Sequence, residues 1–189
     1  MDNVAIVSVD LIKGFCDFGA LASPRVADIV PSVTELMGHL WTQGLRHILL
    51  SQDAHDPQAM EFSAWPAHCV RGSTEAETIE AIQSLSFFDR ISILEKNSIS
   101  TDLSEGLADW VTEHPQVSSY VVVGDCTDLC VYQLAMFLRL SANQNQLQRR
   151  VIVPANCVAT YDLPVETART LGVLPHPADF LDALFLYHM

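Results

Sequence analysis

The chain has 189 residues and a net charge of −13; 49% of its residues are apolar and 17% are charged. That composition supports one sizeable buried core and excludes a disordered segment. An acidic surface repels phosphate backbones and anionic bilayers, so neither nucleic acid nor a membrane is an expected partner.

No apolar run reaches bilayer length, and residues 1–10 carry no basic region ahead of their apolar stretch, so the start of the chain does not read as a signal peptide. The cysteines Cys16, Cys69, Cys126, Cys130 and Cys157 are odd in number and lack the spacing of a disulfide framework. Reduced thiols in a cytoplasmic protein are the simplest reading. Cys126 and Cys130 do not form a C-x-x-C pair, which disfavours a redox dithiol.

Along the chain, short β-rich apolar runs alternate with longer helical patterns. Val4–Val9 reads as a first strand that ends at Asp10. Val26, Ile29, Val33, Leu36, Leu40 and Trp41 then fall at helical spacing, with Gly44 as a stop and Pro31 expected to break or reset the helix. Arg46–Ser51 is a second strand, followed by Asp53 and His55. Glu75–Leu85 reads as a helix and Ile91–Leu94 as a strand running into Glu95 and Lys96. Asp102–His114 is a further helix, with Asp102 and Glu105 at capping-box spacing. Tyr120–Gly124 is a strand and Asp128–Leu140 a helix; Asn143–Gln146 reads as a polar loop. Val151–Pro154 is a strand, Pro164–Leu171 a helix, Gly172–Leu174 a short sixth strand, and Pro177–Tyr187 a last helix. There is no internal repeat or linker. Continuous apolar strands are buried on both faces, so the alternation predicts a three-layer α/β/α fold with a mostly parallel sheet, as one domain over residues 1–189.

Open parallel sheets bind ligands at the carboxyl ends of their strands. The residues at those ends carry complementary chemistry. Asp10 follows the first strand, Asp53 and His55 the second, Lys96 the third, and Gly124-Asp125-Cys126-Thr127-Asp128-Leu129-Cys130 the fourth. Cys130 at a helix start feels the positive end of the helix dipole, and Lys96 can add a cation; both favour a thiolate. Asp10 can take the thiol proton and return it to a leaving amine, and N–H groups at the helix start can bind an oxyanion. A lone cysteine more often packs as a small hydrophobe; Asp10 and Lys96 at neighbouring strand ends favour a nucleophile.

Asp53, His55, Glu61 and His68 form a second constellation. Two imidazoles with carboxylates suit zinc, iron or manganese, and an ordinary polar loop accounts for the same spacing. His39, His47, His114, His176 and His188 have no evident partner, and surface or satisfied-core roles suit them. Phe15 and Trp65 flank both constellations in sequence, as core residues or as a wall for a flat ring.

Asp10, Lys96 and the segment Gly124–Val131 resemble the catalytic set of the isochorismatase-like cysteine hydrolases. Ser51-Gln52-Asp53-Ala54-His55 with Trp65-Pro66-Ala67-His68-Cys69 is similar to the nicotinamidase branch. The resemblance covers nearly the whole chain. It implies a six-stranded sheet and a hydrolase converting nicotinamide to nicotinic acid and ammonia, a step of pyridine nucleotide biosynthesis. Cys130 would attack the carboxamide, with Asp10 as base and Lys96 supporting the thiolate. The N–H groups of Cys126 and Cys130 would form the oxyanion hole, beside a cis peptide bond before Cys126. Asp53, His55 and His68, with Glu61 at the variable fourth position, would hold a divalent metal, zinc first and iron or manganese as alternatives, that takes the pyridine nitrogen. Phe15 and Trp65 would sandwich the ring. Members of the family often self-associate, although no pattern here specifies a homo-oligomer. The chain departs from the branch at Leu11-Ile12-Lys13-Gly14-Phe15 and at Asn97-Ser98-Ile99-Ser100-Thr101. The rival readings are an amidase acting on a carbamoyl or ureido compound, a non-catalytic metal- or ligand-binding module, and a closed structural zinc site. Isochorismatase itself is disfavoured because those enzymes lack the nucleophilic cysteine.

Overall fold

Alternate side chains of each central strand enter two different cores, and this makes the molecule three layers deep. The computed structural model describes residues 1–189. Its strands are β1 (Val4–Val9), β2 (His47–Asp53), β3 (Ser92–Lys96), β4 (Ser119–Asp125), β5 (Arg150–Ile152) and β6 (Val158–Ala159). They form a six-stranded sheet in the order β3-β2-β1-β4-β5, with β6 also paired to β4. Every pairing is parallel. On one face Ile6, Ile48, Leu50, Val121 and Val123 pack with Val26, Ile29, Val33 and Met37. These last four lie on a long helix; with the short turn before it, the helices are α1 (Lys13–Cys16) and α2 (Pro24–Thr42). On the other face Ala5, Val7, Val9, Leu49, Tyr120 and Val122 pack with Leu107, Trp110, Val131, Leu134 and Leu138. These come from α4 (Glu105–Glu113) and α5 (Cys130–Gln144), with α3 (Glu80–Gln83) earlier in the chain. The chain closes with α6 (Val165–Leu171) and α7 (Ala178–His188).

Register sets the working edge. Val9 lies opposite both Ser51 and Gly124, and Asp53 lies opposite Lys96. The carboxyl ends of β1, β2, β3 and β4 therefore open onto one rim. Gly124 is required where β4 closes against β1. Its φ is +113°, and a Cβ there would lie 2.0 Å from the Val9 carbonyl oxygen, a contact that no side chain tolerates.

The structure revises several expected elements. Pro31 does not break α2, which runs through it. An interior proline costs about 3 kcal/mol. The buried stripe Val26, Ile29, Val33 and Met37 offsets that loss, since each fully buried side chain of this kind stabilises by roughly 1.5–3 kcal/mol. Pro31 itself is exposed. The expected helix over Glu75–Leu85 is instead a 3-10 turn at Thr74–Ala76 and the short α3. Backbone bonds across the chain take its place: Lys13 N–H donates to the Glu77 carbonyl, Ile79 N–H to the Leu11 carbonyl, and Ile12 bridges Thr78. Asp102 does not cap a helix. Its carboxylate accepts from the Ser100 hydroxyl within a 3-10 turn, and α4 starts at Glu105. Asn143 and Gln144 extend α5 rather than forming a loop. The sixth strand is Val158–Ala159, not Gly172–Leu174. Gly172 is the left-handed C-cap of α6, with φ +71°, a position that glycine fills because it lacks a Cβ.

Candidate active site

Asp10 stands one residue past β1 with φ +55°, a left-handed conformation that Asp adopts more readily than most residues. Its backbone N–H donates to the Ser51 carbonyl at 2.8 Å, and its Oδ1 accepts the Asp53 N–H at 2.8 Å. The carboxylate is thus fixed between β1 and β2. Lys96 Nζ, from the end of β3, lies 2.8 Å from Asp10 Oδ2, also contacts Asp53 Oδ1, and comes within 3.8 Å of Cys130 Sγ. Lys96 and Asp10 are each 1% exposed. A buried ammonium is tolerated only with such pairing.

Charge in this cluster is shared unequally. Burial, and then the Asp53 charge, raise the Asp10 carboxyl to about 6 against the pull of Lys96. Burial also opposes ionisation of Asp53, but Lys96 holds it below the ordinary carboxylate range. Burial disfavours charge on Lys96, yet Asp10 and Asp53 together keep the ammonium well above its ordinary value. Cys130 is the departure from expectation. Burial pushes its thiol well above the ordinary range; Lys96 opposes this, while Asp10, Asp53 and Asp125 reinforce it. Burial, more than the acids beside Lys96, outweighs the cation that was expected to stabilise a thiolate. That direction favours loss of the thiol proton as the sulfur attacks.

Cys130 is the first residue of α5. The peptide bond Asp125–Cys126 is cis. Neither the Cys126 N–H nor the Cys130 N–H donates to a protein acceptor, so both are free to bind an oxyanion. Asp125 is buried, and burial raises its carboxyl well above the usual range.

Asp53, His55 and His68 bring one ligand atom each to within 4.8 Å of one another, all buried. His55 Nδ1 faces Asn97 Oδ1 at 3.2 Å and His68 Nδ1 faces the Pro66 carbonyl at 2.8 Å. Both partners accept, so both Nδ1 atoms carry the proton and both Nε2 atoms present lone pairs. These Nε2 atoms lie 3.3 and 3.9 Å from Asp53 Oδ2. His55 Nε2 is buried without a hydrogen-bond partner. An orphaned imidazole nitrogen facing a carboxylate fits a divalent cation. Glu61 stands outside the three; its Oε1 is 3.9 Å from His55 Nε2 and its Oε2 accepts the Ile99 N–H at 3.3 Å.

The two constellations meet in one cavity of about 470 Å³, its open mouth included. Asp10, Phe15, Asp53, Glu61, Trp65, His68, Cys126 and Cys130 all line it. Lys96 lies behind that lining, joined to Asp10 and Asp53, and His55 stands beside Asp53. Phe15 packs near the His68 ring, 5.6 Å between centroids, and half-buried Trp65 meets Tyr161 edge-on at 6.1 Å. Leu21 and Tyr161 also line the cavity and are absent from the sequence reading, while Ile99, Asp125 and Leu129 figure there only within longer segments. Asn97, too, is named only in the segment after Lys96, although its amide could have been suspected of orienting a nearby histidine. His176, expected to lack a partner, has two, Asp128 and the Tyr161 carbonyl.

A three-layer parallel sheet with a thiol at a helix start, and an acid and an ammonium at the ends of strands that flank β2, is the architecture of a cysteine hydrolase. The family model for the Isochorismatase domain matches residues 4–171, and the chain belongs to that family. Nicotinamidase 1 of Arabidopsis thaliana is 29% identical over 205 residues, covering 98% of this chain and 81% of that protein. Two solved structures share the fold. N-carbamoylsarcosine amidase of Thermoplasma acidophilum superposes with a TM-score of 0.71 at 23% identity, over 93% of this chain and 96% of the other. A pyrazinamidase of Pyrococcus horikoshii, in complex with zinc, superposes with a TM-score of 0.67 at 23% identity, over 90% and 93%.

Proposed function

We propose that this hydrolase cleaves nicotinamide to nicotinic acid and ammonia, with residues 1–189 acting as one domain. The observation that carries the reading is Asp53: one oxygen contacts Lys96 and the other faces His55 and His68, so the nucleophile half and the metal half share a residue.

Cys130 Sγ attacks the carboxamide carbon as its proton passes to Asp10, whose base form is available above about pH 6. Lys96 balances the negative charge that gathers on sulfur and on Asp10. The N–H groups of Cys126 and Cys130 take the developing oxyanion. Asp10 returns the proton to the leaving nitrogen, ammonia departs, and a thioester remains on Cys130. A water deprotonated by Asp10 then hydrolyses the thioester. Phe15 and Trp65 hold the flat ring in the cavity. Asp53, His55 and His68, with Glu61 nearby, would hold a divalent cation, which supplies a Lewis-acid position that orients the ring through its nitrogen. The zinc in the Pyrococcus pyrazinamidase structure supports zinc first among candidates.

The five free cysteines support a reducing, cytoplasmic location, and no helix is long and apolar enough to cross a membrane. The test is ammonia release from nicotinamide by the reduced, zinc-loaded protein, with an N-carbamoyl amino acid in parallel. Release from nicotinamide alone is expected. Release only from the carbamoyl compound would move the assignment to the rival amidase, and turnover of neither would sink the catalytic reading.

A further inference from the structure

Asp128 sits two places before Cys130 and is buried, with its side chain 6% exposed. Neither carboxylate oxygen is left bare. Oδ1 accepts from the Thr160 hydroxyl at 2.6 Å, and Oδ2 lies 2.8 Å from His176 Nε2. The other ring nitrogen of His176, Nδ1, lies 2.8 Å from the Tyr161 carbonyl. Both of its partners are acceptors. Each ring nitrogen that carries a proton donates to the acceptor it faces, so the ring bridges the nucleophile turn and the Tyr161 backbone.

The same ring stacks on Tyr161, with centroids 3.8 Å apart and planes 10° from parallel. Tyr161 lines the cavity and meets Trp65 edge-on. His176 is itself pinned from behind, because its backbone N–H and carbonyl both bond Leu163 at 2.9 Å. A residue far along the chain thus grips the nucleophile turn with one nitrogen, anchors the backbone of the pocket wall with the other, and supports that wall with its face.

We propose that His176 is a positioning residue: its ring holds Asp128, and through it the turn bearing Cys130, in register with Tyr161 across the cavity. Only the kinetic arm of its test rests on the nicotinamide reading. The titratable groups against the ring are Asp128 and the Tyr161 phenol, which burial keeps protonated. Arg25 of α2 is the cation the network reaches, through the Thr160 carbonyl at 3.2 Å.

The kinetic arm uses His176→Phe, which keeps the stack and removes both ring nitrogens. Its kcat should fall roughly tenfold to a hundredfold, as a misplaced reacting group costs, with KM changed much less. Asp128→Asn, which remakes both bonds, should retain about tenfold more kcat than Asp128→Ala. A purely structural role would lower the melting temperature of His176→Phe while leaving kcat per folded molecule intact, and that result refutes the idea. If the wild type fails to turn over nicotinamide, the crystal structure of His176→Phe decides the matter: a displaced Cys126–Cys130 turn supports the proposal and an unmoved turn overturns it.

Discussion

Asp10, Lys96 and Cys130 come to the site from the ends of β1 and β3 and the start of α5, whereas His55 and His68 come from the irregular segment between β2 and α3. The first half takes its geometry from strand register: Val9 opposite Gly124 and Asp53 opposite Lys96 leave its side chains little freedom. The second half relies on local supports, namely the Asn97 amide behind His55 and the Pro66 carbonyl behind His68. The sheet half sets one ammonium between two carboxylates, so each acid has a cation in contact. The loop half leaves an imidazole nitrogen without a partner. A chemical centre can be held by register when its charged groups pair with one another; one that needs an added cation has to be aimed by hydrogen bonds from behind its ligands.

The strongest challenge to that contrast is Cys130→Ala, which removes the nucleophile without touching the loop. Turnover should vanish while ring binding and metal content persist, as measured by ammonia release and metal analysis. Asp10→Asn comes next. It should lower kcat by roughly 10²–10⁴-fold, the range for lost general acid–base help, in steady-state assays with the metal still bound. On the loop side, Asn97→Ala should weaken metal affinity by about 10–100-fold, as loss of the hydrogen bond that orients a ligating histidine does, in competition with a chelator. His68→Ala should do more, while leaving the unfolding transition little changed. A large loss of stability in either loop variant would mean that the two halves are not separable. The smallest effect is the pH profile. Asp10 is protonated below about 6 and cannot then accept the thiol proton, so kcat/KM should fall about tenfold per unit on the acid side. A profile flat to pH 4 would remove Asp10 as the base.

Much of this was legible in one dimension where the signal is local. The apolar runs of β1 and β4 announced themselves, and Asp10, Lys96 and Cys130 were found because strand ends carry function in parallel sheets. Segments whose bonding is long-range were misread. Glu75–Leu85 has helical composition, but its backbone pairs with residues 11–13. Gly172–Leu174 looked like a strand, while the two-residue β6 at Val158–Ala159 was too short to leave a periodic signal. Tyr161 and His176 were passed over because their partners lie elsewhere in the chain, and Asn97 because only folding brings it behind His55.

The sequence by itself determined the layered α/β plan and the kinds of chemistry at the strand ends, because hydrophobic periodicity and residue type are properties of neighbours along the chain. Only the tertiary structure decided that Asp10 and Cys130 share one cavity with Asp53 and His68, that Lys96 and His55 stand behind it, that Asp53 belongs to both halves, and that the Cys130 thiol is pushed up. Those outcomes depend on distance and burial. An ammonium that favours a thiolate when considered alone is outweighed once folding buries the thiol and sets two carboxylates beside the cation.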